Sequence, residues 1–376
     1  MKILLISPEY PPPLIGGSLV YINNLIENSG LSFSILTEVR GRQSDKSRKY
    51  IESKYLINSG DANNSNLFRM YGFMAIYILK NMHRYDLVIF NISAIGNGFF
   101  AFFTNLFGKK SMIISFAEEL TLAVKSKGIK GILKRLFIKG YRKADMNISI
   151  SHFAKEFLIN EIGVSSPIHV IPTPVHTEKL DLKKVNNEKR DGILSVGRLV
   201  ERKGHILVLK AFKKVYAQDS TIKLTIIGDG PEYPRLKRYI NDNSLQENVN
   251  IHRNVSDDFL RNQYSQHEIF ILANLMLENG DCEGAPNVLI EAAAYGLPSI
   301  AGEEGGTSDV VEHNKSGYLL DPKDIENLAS TITLLLADKP KIEKMRNYAI
   351  NKALTDHDKV KAGRLFRSHI LNCIES

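Results

Sequence analysis

The chain has 376 residues, 43% of them hydrophobic and 24% charged, the composition of a soluble globular protein with room for two or three domains. Two cysteines, Cys282 and Cys373, exclude a disulfide framework and point to a reducing compartment. The net charge of +8 is uneven: Met1 to Val175 holds 21 Lys+Arg against 12 Asp+Glu, the remainder 28 against 29, so an acidic partner is expected for the N-terminal half alone.

The opening "MKILLISPEYPPP" has an apolar run too short for a signal peptide and cut off by prolines; it reads as a first buried strand. Apolar, β-rich runs then recur, each followed by a plausible helix. In the first half these are "KILLIS", "FSILTEV", "DLVIFNI", "SMIISF", "MNISIS" and "IHVIP"; in the second they are "GILSVG", "KLTIIG", "VNIHR", "EIFILAN", "PSIAG" and "GYLLD". Continuous apolar strands alternating with helices predict parallel sheets covered on both faces. The stretch Ile92 to Phe107 is too short and too interrupted by Asn97, Thr104 and Asn105 to span a bilayer and reads as a core helix. "HTEKLDLKKVNNEKRDG" has no apolar period and is a linker. The expectation is an N-terminal domain over residues 1–176, a linker over 177–190 and a second domain over 191–355, both doubly wound α/β, with ligands at the carboxyl ends of the strands.

In the second half, "LSVGRLVERKGH" ends a strand at Val196, turns at Gly197 and delivers Arg198 and Lys203 before a helix. Two cations at such a junction can neutralise a diphosphate; a solvated basic loop would look the same. "LTIIGDGPEYPRLKRYI" has Gly228 and Gly230 at a strand end, but Tyr233 stands where a dinucleotide fingerprint needs a third glycine. In "DCEGAPNVLIEAAAYGLP", Gly284 to Asn287 form a turn into a helix that ends near Gly296. Glu283 lies in the loop at the positive end of that helix. Glu291, eight positions on, lies among alanines small enough to let a ligand close in. Ionised carboxylates only accept hydrogen bonds and so suit hydroxyl-rich ligands; one acidic residue before a helix and one solvated Glu on it is the plain alternative.

The motifs "VGRLVERKG", "GDGPE", "EGAPNVLIE" with its two glutamates, and "GGTSDVVEHNKSGYLLDP" resemble, in order and spacing, glycosyltransferase family four, a large retaining group with the GT-B fold. The resemblance is dense from Asp191 to Pro322 and weaker at "YPPPLIGGSLVYINNL" near the start. It implies two Rossmann-like domains facing each other across a cleft, and a last segment, 356–376, that crosses back to the N-domain. It implies a cytoplasmic transferase that moves a sugar from a nucleoside-diphosphate-sugar to an acceptor hydroxyl, without a metal or other cofactor. Arg198 and Lys203 would hold the donor's diphosphate, Glu283 the donor sugar and Glu291 the ribose. The helix entrance Gly284, Ala285, Pro286, Asn287 and Val288 would face the phosphates. Gly16 and Gly17 would meet the phosphates from the N-domain, and Gly305, Gly306 and Asp309 would support the donor pocket; the family more often has Glu at the position of Asp309.

A larger departure lies at "MIISFAEELTL". Many relatives carry a histidine just after this strand, near the donor sugar, where this chain has Phe116 and Ala117. Glu118 or Glu119 could serve at the reacting centre instead, or both could be helix-start carboxylates. No His/Cys cluster has metal spacing; Asp356-His357-Asp358 reads as the start of a terminal helix, and Cys282 as a packing residue. A sugar-nucleotide epimerase and a silent nucleotide-sugar-binding partner are the competing readings. Finally, "KSKGIKGILKRLFIKGYRK", Lys125 to Lys143, carries eight Lys/Arg and no acid, with apolar residues at near-helical spacing. It reads as one amphipathic helix for an anionic membrane surface, or as an ordinary surface helix. Resembling enzymes often use lipid-linked acceptors, so peripheral attachment to the inner face of the cell membrane and a lipid-linked or growing glycan are the expected partners. No nucleic-acid partner is expected.

Overall fold

The computed structural model describes residues 1–7, 10, 17–38, 51–57, 72, 75–91, 97–128, 131–132, 138–174 and 190–376. The chain divides into two units. The first holds Met1–Pro174, Glu278–Gly280 and Lys359–Ser376; the second holds Val175–Leu277 and Asp281–Asp358. The linker expected over 177–190 lies, apart from Arg190, outside the described residues.

The first unit is built on seven parallel strands: β1 (Ile3–Ile6), β2 (Phe33–Glu38), β3 (Ile51–Ile57), β4 (Leu87–Asn91), β5 (Lys110–Ser115), β6 (Met146–Ser149) and β7 (Ile168–Val170), in the order β3-β2-β1-β4-β5-β6-β7. Its central strands β1 and β4 are buried along their whole length, as strands covered on both faces must be. The strand β3 is absent from the sequence-based expectation. It pairs only with β2, at the sheet edge, and its sequence "IESKYLI" carries Glu52 and Lys54 where a central strand would be apolar throughout.

The second unit has six strands, β8 (Ile193–Val196), β9 (Leu224–Ile227), β10 (Val249–His252), β11 (Ile269–Leu272), β12 (Ser299–Gly302) and β13 (Gly317–Leu320), in the order β10-β9-β8-β11-β12-β13. All its pairings are parallel. Strand order reverses between β8 and β11, so the loops leaving these two strands diverge and open a crevice at their carboxyl ends.

Helix boundaries follow local chemistry. Ser151, Ser256, Asp324 and Asp338 each accept the backbone N–H three residues on and so start a helix. Helix Lys339–Asp356 runs up to Asp356, and the terminal helix begins at Lys359 rather than at Asp356, because His357 and Asp358 form the corner between them. That terminal helix, Lys359–Glu375, packs within the first unit. Phe366 stacks on Phe33 of β2 with ring centroids 6.3 Å apart, and His369 stacks on His169 of β7 at 3.9 Å.

One expectation for the basic half needs correction. The single helix across Lys125 to Lys143 is broken. Helix Glu118–Lys125 stops where Ser126 turns extended, and Lys139–Arg142 is a separate 3-10 turn. Gly128 adds a left-handed residue at the start of a second helical stretch, whose described residues are 128, 131, 132 and 138. Lys130, Lys134 and Arg135 lie outside the described residues. The core helix expected over Ile92 to Phe107 is found as helix Asn97–Leu106, with Phe100, Ala101 and Thr104 buried and Leu106 and Phe107 exposed at its end; residues 92–96 lie outside the described residues.

Candidate functional site

The loop leaving β8 is held from two sides. The Leu199 N–H donates to the Asp229 carbonyl over 2.8 Å, which lays "GRLV" along the "GDG" loop after β9. The Leu275 N–H donates to the Arg202 carbonyl over 2.9 Å, which ties the same loop to the segment after β11. Gly204 closes the turn with a left-handed φ of +66°, and a Cβ there would stand 1.8 Å from the Ala273 carbonyl oxygen. Only glycine meets both demands. Arg202 and Lys203 thereby point their side chains into the protein, and both are buried.

Buried charges need partners, and these have them. Arg202 Nη1 lies 2.8 Å from Glu283 Oε1, Arg202 Nε 3.1 Å from Asp281 Oδ1, and Lys203 Nζ 2.9 Å from Glu283 Oε2. Burial alone would push the Glu283 carboxyl up. The charges of Lys203 and Arg202, and more weakly Arg198, outweigh it and hold the group below the ordinary glutamate range. Glu283 is therefore a buried carboxylate, ionised at neutral pH.

Its backbone is fixed as well. The Gly306 N–H donates to the Glu283 carbonyl over 2.9 Å, and a Cβ on Gly305, whose φ is +77°, would come within 2.4 Å of the same oxygen. The loop from Gly305 through the turn Gly306–Asp309 thus closes directly on Glu283. Gly284, Ala285 and Pro286 lead from there into helix Asn287–Ala294. No side chain caps this helix start, so its first N–H groups remain available to an anion. Val288 is in its first turn and Glu291 in its second. Tyr264, from helix Asp257–Gln266, donates its hydroxyl to Glu291 Oε2 over 2.8 Å. Burial raises the Glu291 carboxyl above the ordinary range; the Tyr264 bond and the Lys203 charge pull it back only partly. The Lys203 ammonium is thus felt by both glutamates.

The second unit therefore gathers Arg198, Lys203, Glu283 and Glu291 around the crevice between β8 and β11. The remaining candidates belong to the first unit. Gly16 lies outside the described residues, and Gly17 is the first residue of helix Gly17–Ser29. Glu118 is exposed. Glu119 is buried, with Oε1 accepting the Phe116 N–H at 2.8 Å and the Tyr141 hydroxyl at 3.2 Å. Between Phe116 and Glu118, Ala117 has a φ of +76°, a strained conformation for a residue with a side chain. Glu119 is the clasp of that turn. Among the described residues no group of three or more His, Cys, Asp or Glu could hold a metal ion.

Two residues of the site escape a reading of the sequence. Arg202 looks like one more cation in "ERKG"; only its burial shows that it bridges Asp281 and Glu283. Tyr264 stands in a different helix, and nothing in its neighbourhood along the chain marks it.

Residues 177–352 match the family described as "Glycosyl transferases group 1". The amylovoran biosynthesis glycosyltransferase AmsK of Erwinia amylovora is 30% identical over 205 residues, 54% of this chain and 50% of that protein. The GDP-mannose-dependent alpha-(1-6)-phosphatidylinositol monomannoside mannosyltransferase of Mycobacterium tuberculosis is 25% identical, over 52% of this chain and 53% of that one. The chain spans about half the length of these curated relatives. Among solved structures, Anabaena Alr3699/HepE in complex with UDP and glucose matches with a TM-score of 0.74 at 16% identity, covering 99% of each chain. A likeness of that extent shows the GT-B fold.

Proposed function

We propose that this chain, whose residues 177–352 match the glycosyl transferases group 1, is a retaining glycosyltransferase. It moves a sugar from a nucleoside-diphosphate-sugar to the hydroxyl of a glycan or lipid-linked acceptor in cell-surface polysaccharide synthesis. The observation that carries this reading is the buried set in which Lys203 pairs with Glu283 at 2.9 Å while its charge also reaches Glu291. One ammonium between two carboxylates, beside an uncapped helix start, matches a ligand with a diphosphate between two hydroxyl-bearing rings.

On this reading, Arg198 and Lys203 take the diphosphate, Glu291 the ribose and Glu283 the donor sugar. The acceptor oxygen attacks on the face that the leaving group departs from. The barrier falls chiefly because fixed cations and helix N–H groups stabilise the negative charge that grows on the departing diphosphate. The two cations supply the neutralisation, so the transfer proceeds without a divalent metal. The relatives, a polysaccharide biosynthesis enzyme and a mannosyltransferase acting on a phosphatidylinositol mannoside, support the acceptor class.

The enzyme works in the cytoplasm at the inner face of the membrane. Lys125, Lys127, Lys139 and Lys143 are exposed, and Asn105 donates to the Lys143 carbonyl, which brings the exposed Leu106 and Phe107 beside this basic stretch. Cations flanking exposed apolar side chains suit an anionic leaflet.

The test is a thermal-shift screen of nucleoside diphosphates and their sugars, followed by transfer to a lipid-linked or oligosaccharide acceptor with the product anomer read by NMR. A melting temperature raised by one nucleotide series, and a product that keeps the donor's anomeric configuration, are expected. Inversion overturns the retaining reading. Conversion of donor to its epimer without acceptor points to an epimerase, and indifference to every nucleotide-sugar removes the donor assignment.

A further inference from the structure

Both oxygens of the Glu283 carboxylate are occupied, Oε1 by Arg202 at 2.8 Å and Oε2 by Lys203 at 2.9 Å. If the proposed function holds, the donor needs both members of the second pair, Lys203 for its diphosphate and Glu283 for its sugar. Neither is at liberty while they hold each other. Arg202 differs from Lys203 in one respect: its guanidinium is tied on its other side to Asp281 at 3.1 Å, and its carbonyl to the Leu275 N–H.

We infer that Arg202 is a positioning residue that keeps the Glu283 carboxylate ionised and in place, so that Lys203 can exchange it for the donor's diphosphate and uncover Oε2 for a sugar hydroxyl. The chemistry of the two cations fits this division. A guanidinium is a rigid fork that does not lose its proton and can hold two carboxylates at once. An ammonium is a point charge on a flexible stem and changes partners readily. Without Arg202, Glu283 would have Lys203 as its remaining close cation, with Arg198 acting from farther away. Burial would then press the carboxyl either to hold Lys203 harder or to take up a proton. Those two outcomes are separated by pH. The charged groups facing the Glu283 carboxylate are Arg202, Lys203 and Arg198; Asp281 acts through Arg202, Glu291 shares the Lys203 field, and His205, beside Lys203, is kept neutral by burial and by that lysine.

The experiment measures UDP and GDP binding by calorimetry from pH 5 to pH 8 on the full chain. It compares wild type with Arg202→Met, Arg202→Lys, Glu283→Gln and the double variants Arg202→Met/Glu283→Gln and Arg202→Lys/Glu283→Gln. Ratios to wild type at each pH cancel the ligand's own titration. Arg202→Met is expected to bind about tenfold more weakly at pH 8, since it loses a hydrogen bond to a charged group. The deficit is expected to shrink as the pH falls and Glu283 is protonated, releasing Lys203. It is expected to vanish in the Glu283→Gln background. Arg202→Lys, which keeps the charge without the fork, should show a smaller deficit with the same dependence on Glu283, and carries the test should Met at this position unfold the chain. A deficit that persists with Glu283→Gln overturns the inference, because Arg202 would then contact the diphosphate itself. Wild-type affinity in Arg202→Met at every pH overturns it too. Wild-type protein that binds no nucleoside diphosphate brings down the nucleotide-sugar reading and the inference together, whereas failure in the variants alone leaves that reading standing.

Discussion

Tyr264 holds Glu291 by one oxygen, its hydroxyl donating to Oε2 over 2.8 Å while its ring stacks on Tyr295 with centroids 5.4 Å apart. Burial keeps the phenol protonated and able to donate, and the bond fixes the orientation of a carboxylate that is partly withdrawn from water. Glu291→Gln should therefore weaken binding of the bare nucleoside diphosphate about tenfold, and Tyr264→Phe by roughly threefold, as a lost positioning bond rather than a lost contact. Glu283→Gln, which releases Lys203, should not weaken that binding but should damage sugar transfer. Calorimetry with the nucleotide alone distinguishes the three; equal losses in the two glutamate variants would contradict the separate roles.

The phosphate clamp should show itself in turnover. Arg198→Ala and Lys203→Ala each remove a charged hydrogen bond of about 1.5–3 kcal/mol from a diphosphate that gains charge as it leaves, which corresponds to roughly 10–100-fold in rate. Wild-type activity should survive excess EDTA. Near-normal rates in both alanine variants, or loss with EDTA restored by Mn²⁺ or Mg²⁺, would refute this account of leaving-group stabilisation.

The central strands and the crevice were legible because parallel strands covered on both faces must be apolar throughout, with "GRLVERKG" directly after one of them and "EGAPNVLIE" at the end of the segment that leaves another. The edge strand Ile51–Ile57 was not, because a strand with one neighbour tolerates Glu52 and Lys54. Arg198, Lys203, Glu283 and Glu291 announce themselves as charges in loops or on an apolar helix. Arg202 and Tyr264 depend on contacts between segments far apart in the chain, Arg202 with Glu283 and Tyr264 with Glu291, and no local pattern encodes such a meeting. The break at Ser126 has no local mark either: Lys125, Ser126 and Lys127 are each compatible with a helix, and only the backbone shows the extended turn.

Glu119 should make the first unit pH-sensitive. Burial pushes its carboxyl up to about 7, against hydrogen bonds from the Phe116 N–H and Tyr141 that pull it down. Its folded pKa lies above its unfolded value, so the stability it contributes is full below the unfolded pKa and is lost as the pH rises through about 7. Glu119→Gln, neutral throughout, should melt progressively higher than wild type between pH 5 and pH 8, by up to ~3 kcal/mol in stability. No gain on the alkaline side would show that the clasp does not hold a proton. If either carboxylate of this turn also serves the reaction, Glu118→Gln or Glu119→Gln should lose turnover with donor affinity intact; full activity in both assigns them to architecture alone.

The basic face should bind membranes by charge. Changing Lys125, Lys127, Lys139 and Lys143 together to Glu should abolish co-sedimentation with anionic vesicles at low salt, since each cation near such a surface is worth about 1 kcal/mol. Vesicles of neutral lipid should not retain the wild type. Retention that ignores lipid charge, or that survives the fourfold change, would rule out this docking mode.

The helix Lys359–Glu375 belongs to the first unit, yet it emerges from the ribosome after the whole of the second. The aromatic faces of Phe33 and His169 therefore wait, uncovered, through the synthesis of another domain. The second unit can complete its own sheet first, so the part of the chain made earliest is the part finished last. During that interval the nascent chain carries an apolar surface that only its own tail can close. A ribosome stalled after the second unit has emerged, but before Lys359–Glu375 has, would leave this protein with one finished domain and one that chaperones must shield.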